Sequence, residues 1–215
     1  MSILKIAAFG DSLTEGVALK DGQKNWTDLI SEELSADVKN CGVGGNTTGA
    51  GLVRMENDVI SYNPDIVLIA FGMNDHVIVD RNGRTKTERE KFALNLCEMV
   101  TRVRKIDAAP VLITPNAVIE EYYFKRHPKE WYAEVGGANA QIESFCRMIR
   151  KTAKELSLPL VDIYEESKNC DLTRILRTPE HGGLADGVHP YGRGISFYAE
   201  HILSALRGMI STNGR

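Results

Sequence analysis

The run Asp65-Ile66-Val67-Leu68-Ile69-Ala70-Phe71 is apolar without a break from Ile66 onward. A strand of that kind is buried on both faces, which points to a parallel sheet covered by helices on each side. Four further strand candidates fall at Ile3–Phe9, Asp37–Cys41, Pro110–Pro115 and Pro159–Asp162. Between them, apolar residues recur at helical spacing. Trp26, Leu29, Ile30 and Leu34 mark one helix, and Leu52, Met55 and Val59 a second. Phe92, Leu96, Met99, Val103 and Ile106 mark a third; Ile142, Phe145, Ile149, Ala153 and Leu156 a fourth; Ile195, Ala199, Ile202 and Leu206 the last.

Strand and helix alternate over 215 residues. That predicts one α/β domain spanning 1–215, built as a flavodoxin-like, doubly wound, five-stranded parallel sheet with helices on both faces. The economical strand order is 2-1-3-4-5. In this order the loops after the first three strands lie side by side at one end of the sheet. The crevice between the first and third strands is where such sheets bind ligands.

Those loops carry the polar residues of interest. The first strand runs into Gly10-Asp11-Ser12-Leu13-Thr14-Glu15-Gly16, placing a serine among small residues at a turn, where a nucleophile would be accessible. A serine there could equally cap a helix. The second strand enters Gly42-Val43-Gly44-Gly45-Asn46-Thr47-Thr48-Gly49, and the third ends in Gly72-Met73-Asn74-Asp75. Without Cβ atoms the Gly44-Gly45 backbone can approach a ligand closely, and the Asn74 amide is a donor. Near the C-terminus, Asp186-Gly187-Val188-His189-Pro190 offers an imidazole, which titrates near neutral pH, with a carboxylate three residues earlier. Pro190 biases His189 away from helix and suits the first position of the helix that follows. Acyl transfer needs this set: nucleophile, base, orienter and oxyanion donors.

The same segments carry a resemblance. Gly10-Asp11-Ser12-Leu13, Asn40 to Thr47, Gly72 to Asp75 and Asp186 to Pro190 follow, in order, the sequence blocks of the GDSL or SGNH hydrolases. That superfamily contains serine esterases, lipases, thioesterases and carbohydrate acetylesterases. The resemblance implies Ser12 as nucleophile, His189 as base and Asp186 as its orienter. It implies an oxyanion hole made from the Ser12 and Gly45 backbone N–H groups and the Asn74 side chain. It implies no metal and no organic cofactor. The second block departs from the commoner pattern at Gly44 and Asn46.

Two stretches bear on specificity. The aromatic run Tyr122 to Tyr132 follows the fourth strand, so Tyr123 and Trp131 are candidates to wall the substrate pocket, or else pack against the body or a second copy. His76 is placed either at the pocket or on a solvent-facing loop, and His127, His181 and His201 read as surface or packing residues. The absence of a long apolar lid favours small acyl groups, acetyl or short-chain. The alternatives are an acyltransferase or thioesterase using the same groups, a non-catalytic carbohydrate- or ester-binding module, or a metal-dependent phosphoesterase. An α/β-hydrolase elbow is set aside, because Thr14 stands where G-x-S-x-G needs its last glycine.

A net charge of -3 offers no basic footprint for nucleic acid or an acidic membrane surface. The expected partner is a small-molecule ester, with a homo-oligomer left open. Cys41, Cys97, Cys146 and Cys170 lack metal-ligand spacing and read as reduced thiols. With no export signal before the first strand, the expected location is the cytoplasm.

Overall fold

The computed structural model describes residues 3–181 and 185–213, with the side chains of residues 181, 212 and 213 left aside. The strands are β1 (Lys5–Gly10), β2 (Asp37–Gly42), β3 (Ile66–Ala70), β4 (Ala109–Ile113) and β5 (Leu160–Val161). All pair in parallel, in the order β2-β1-β3-β4-β5. The helices are α1 (Ser12–Glu15), α2 (Trp26–Leu34), α3 (Thr48–Asp58), α4 (Arg89–Arg104), α5 (Glu120–Tyr123), α6 (Ala138–Glu155), α7 (Ile163–Lys168) and α8 (Arg193–Asn213).

Strand parity divides the core. Ala7 and Phe9 of β1 face one layer, with Met55 of α3, Leu96 and Met99 of α4, and Phe145 and Ile149 of α6. Ile6 and Ala8 face the other, with Trp26 and Ile30 of α2 and Ile195, Ala199, Ile202 and Leu206 of α8. Phe145 and Ile149 are almost wholly inaccessible. Burial of side chains that size contributes about 1.5–3 kcal/mol each relative to exposure. A third cluster, including Leu13, Met73, Ile78, Tyr123, Tyr132 and Val188, sits beyond the strand ends and underlies the loops.

Local chemistry fixes how the chain enters these helices. Asn25 caps α2, accepting from the Trp26 N–H at 2.7 Å, and Asp28 returns the bond to the Asn25 N–H at 2.8 Å as a capping box. The Asn25 amide also donates to Thr14 O at 2.7 Å, tying α2 to the end of α1.

Two expectations change, and a hairpin appears. β5 is only Leu160–Val161, and the stretch after it contains α7, whose six residues are too short to display a helical period. The loop from Asp80 to Thr87 is part of a hairpin, with Ile78 bridged to Thr85 and Val79 N–H donating to Arg84 O at 2.8 Å. Pro190 does not open the last helix. It bridges to Leu176, and α8 begins at Arg193. All four cysteines are free thiols. Among the described residues no helix is long and apolar enough to cross a membrane.

Candidate active site

Ser12 is the first residue of the one-turn helix α1, immediately after β1. Asp11 is its N-cap, with Oδ1 accepting from the Leu13 N–H at 3.0 Å. Gly16 ends the turn at φ +86°. The close packing of this turn demands glycine at position 10, where a Cβ would stand 2.1 Å from Thr14 Oγ1 and 2.6 Å from Ala70 O. The turn is then pinned from outside: Trp26 Nε1 donates to Leu13 O at 3.0 Å, and Asn40 Nδ2 to Thr14 O at 2.8 Å. Ser12 retains 9% exposure.

The segment from Asp186 to His189 folds into a tight turn around the Asp186 carboxylate. Its Oδ1 accepts from the Val188 N–H at 2.7 Å and the His189 N–H at 2.9 Å. Its Oδ2 lies 3.0 Å from His189 Nδ1, and His189 Nε2 lies 2.9 Å from Ser12 Oγ. Burial works to raise the Asp186 pKa, but the His189 ring and the backbone N–H groups of His189 and Val188 outweigh it and hold the carboxyl below its ordinary value. An ionised carboxylate can only accept, so Nδ1 carries the ring proton and Nε2 accepts from the serine hydroxyl. The structure thus brings together Ser12, His189 and Asp186, although 177 positions separate the serine from the histidine.

The turn is fastened to neighbouring loops. Ile119 N–H donates to Gly187 O at 2.9 Å, Gly187 N–H to Arg177 O at 3.1 Å, and Asn116 Nδ2 to Val188 O at 3.0 Å. Gly187 stands at φ +62°, and a Cβ there would approach Ile119 Cβ and O to 2.9 Å.

The candidate oxyanion donors arrive on the two neighbouring strands. Gly45 stands at φ +77°, and its N–H, like that of Ser12, has no partner among the described residues. The adjacent Gly44 N–H is taken by Glu15 Oε2 at 2.6 Å. Asn74 donates an amide hydrogen to Asn46 O at 3.1 Å, which links the second and third loops.

Two supports escaped sequence reasoning because they come from helix interiors and from a residue with no local signal. Arg54 of α3 donates to Gly10 O at 2.7 Å, Cys41 O at 2.8 Å and Asn46 Oδ1 at 2.8 Å, and its guanidinium lies 4.7 Å from the Phe9 ring centroid. It therefore clamps the ends of β1 and β2 and the glycine loop. Asp75, fully buried beside Asn74, accepts from the Thr48 N–H at 2.9 Å and from Thr48 Oγ1 at 2.6 Å. Asn95 Nδ2 donates to the same Thr48 hydroxyl at 3.0 Å. Asp11 is the opposite case, a buried carboxyl whose Oδ2 accepts no close hydrogen bond among the described residues. Burial, only partly offset by the Leu13 N–H, raises its pKa to about 7.

A cavity of about 230 Å³ opens over Ser12, Asn74 and His189. Met73, Val77 and Val188 give it apolar wall; Lys86, Tyr123, Arg126 and His127 complete it. Tyr123 lines this cavity at 2% exposure and also packs within the third cluster. Trp131 is not in the lining; it packs against the third cluster, the other arrangement the sequence left open. His76 neither lines the cavity nor faces solvent: it is fully buried. Its Nδ1 lies 3.1 Å from Gly72 O and its Nε2 3.1 Å from the Tyr123 hydroxyl, which lies 2.9 Å from that of Tyr132. Burial, opposed in part by the hydrogen bond to the Gly72 carbonyl and helped by the nearby Lys86 charge, lowers the His76 pKa to about 4, so it is a neutral internal bridge. His127 stacks on Tyr123 at 4.3 Å and faces the cavity, a position its sequence context did not reveal. His201 packs edge-on against Phe197 at 4.5 Å, while the His181 side chain lies outside the described residues.

A larger groove of about 590 Å³, between Glu120, Phe124, Lys129 and Gly136, lacks every one of these groups. Among the described residues, no group of three or more His, Cys, Asp or Glu is placed to hold a metal ion.

The fold recurs in a lipase/acylhydrolase from Enterococcus faecalis, with a TM-score of 0.75 at 23% identity over 96% of this chain and 97% of that one. The lipoprotein YqeF of Bacillus subtilis is 30% identical over 178 residues, 77% of this chain and 73% of its own. The isoamyl acetate-hydrolyzing esterase 1 homolog of Rattus norvegicus is 24% identical over 97% of this chain and 83% of its own. Residues 8–194, which contain every segment of the site, match the GDSL-like lipase/acylhydrolase family, and the chain belongs to that family.

Proposed function

We propose that the protein hydrolyses small acyl esters through a covalent acyl-enzyme on Ser12. Ser12 Oγ attacks the ester carbonyl carbon while His189 Nε2 takes the hydroxyl proton. The carbonyl oxygen becomes an oxyanion, which the Ser12 and Gly45 N–H groups and the Asn74 amide stabilise. Each such donor is worth roughly 10²–10³ in turnover. The C–O bond to the alcohol then breaks, and the departing alkoxide receives the proton held on Nε2. Water enters, gives its proton to His189 and attacks the acyl carbon, releasing the carboxylic acid and restoring the serine hydroxyl. Asp186 fixes the ring tautomer and stabilises the imidazolium at each proton transfer.

The observation that carries this reading is the line Asp186 Oδ2–His189 Nδ1 at 3.0 Å and His189 Nε2–Ser12 Oγ at 2.9 Å. The small cavity and the esterase named among the relatives favour short acyl groups such as acetyl. The test is Ser12→Ala. Turnover of p-nitrophenyl acetate should fall by at least about 10³-fold, with circular dichroism and melting temperature close to those of the parent. An alanine variant that retains turnover would refute the assignment.

A further inference from the structure

We propose that the cavity over Ser12 selects esters that carry a carboxylate, held by Lys86 and Arg126 at its mouth. This deepens the serine-esterase reading and rests on it.

Two separate segments each deliver a cation to the same cavity as Ser12 and His189. Lys86 lies on the hairpin after Asn74, fixed by its N–H to Val77 O at 2.9 Å. Arg126 lies on the turn after α5, fixed by its N–H to Tyr123 O at 3.1 Å. Neither side chain is ion-paired or hydrogen-bonded to a described residue. Other basic groups do find partners: Arg84, on the same hairpin as Lys86, pairs with Asp80 at 3.0 Å, and Arg150 of α6 with Glu143 at 2.8 Å. The chain has acidic groups to spare, with 29 against 26 basic ones, yet none among the described residues lines this cavity.

A single exposed lysine or arginine would signify nothing, because such side chains are ordinarily solvated. Lys86 and Arg126 are exposed too, but they share one concave mouth, whose walls focus their field into the space above the nucleophile. Burial, then the charges of Arg126 and Lys86, lower the His127 pKa to about 4, so this imidazole in the lining adds no third charge. A cation pair without a counter-charge lacks its electrostatic complement, and a substrate carboxylate supplies it. The guanidinium of Arg126 suits the planar, two-oxygen geometry of that group. The apolar wall of Met73, Val77 and Val188 would lie along the short chain joining carboxylate to ester.

The experiment compares matched pairs, each a free carboxylate and its methyl ester, with hydrolysis followed at the aryl ester alone. On the acyl side the pair is 4-nitrophenyl hydrogen adipate and its methyl ester. On the alcohol side it is 4-acetoxybenzoate and its methyl ester. Rates are corrected for uncatalysed hydrolysis. In at least one pair, kcat/KM should favour the charged member by about tenfold or more, mainly through KM. The preference should shrink as salt is raised from about 10 mM to 0.5 M. Lys86→Gln with Arg126→Gln should abolish it, and Lys86→Glu with Arg126→Glu should invert it. Lys125→Gln, whose ammonium sits over the Tyr122 ring outside the cavity, should leave it intact. A ratio near one for both pairs, a preference indifferent to salt, or one that survives both double variants would overturn the proposal. Ser12→Ala separates this from the parent reading. If it silences every ester while the ratio is flat, the serine mechanism stands and only the charge selection falls; if it leaves turnover, the mechanism itself falls.

Discussion

Asp11 sits one residue before the proposed nucleophile and is fully buried, with one oxygen capping α1 and the other without a close hydrogen bond among the described residues. Its folded-state pKa of about 7 stands above the ordinary 3.8. The folded chain therefore binds more protons than the unfolded one between about pH 4 and 7, and gains stability from this group as the pH falls through that window. Asp11→Asn keeps the capping oxygen and cannot titrate. The melting temperature of the parent relative to Asp11→Asn should rise between pH 8 and pH 5, and a difference that stays flat would refute the assignment of the shift. At this scale the sequence was informative where a residue's task is set by near neighbours. The carboxylate and imidazole of Asp186 and His189 share one turn, so their meeting could be read from spacing. It was uninformative for Trp131 and His76, because which side of a turn faces the cavity is decided by packing against Tyr132 and Phe145 rather than by local order.

At the scale of elements, α3 does more than cover the sheet. Arg54 joins the ends of β1 and β2 to the loop bearing Gly45, and Thr48 at its first turn is held by Asp75 next to Asn74. The helix thereby sets the spacing between the candidate oxyanion donors. Arg54→Met should lower kcat by roughly tenfold or more with little change in KM, since displacing oriented groups by less than an ångström is costly. A proportionate rise in KM instead would point to a role in binding. The long helices α4, α6 and α8 were legible from periodicity, because each spans enough turns to repeat its apolar face. α7 was not, and neither was the pairing of Ile78 with Thr85, where two short segments find each other across a polar turn.

Across the whole molecule, strand order is what made the site predictable. Once β1 lies between β2 and β3, the loops after all three must share one end of the sheet. The serine follows directly on β1, a strand paired along both edges, whereas the imidazole comes from a turn hydrogen-bonded to other loops, through Ile119, Arg177 and Asn116. The two halves of the reacting pair thus belong to parts of the protein with unequal resistance to disturbance. In rising urea, ester turnover should disappear reversibly at a lower concentration than the helical circular dichroism signal, and coincident curves would count against it. Such a chain can be disarmed and rearmed without ever being unfolded.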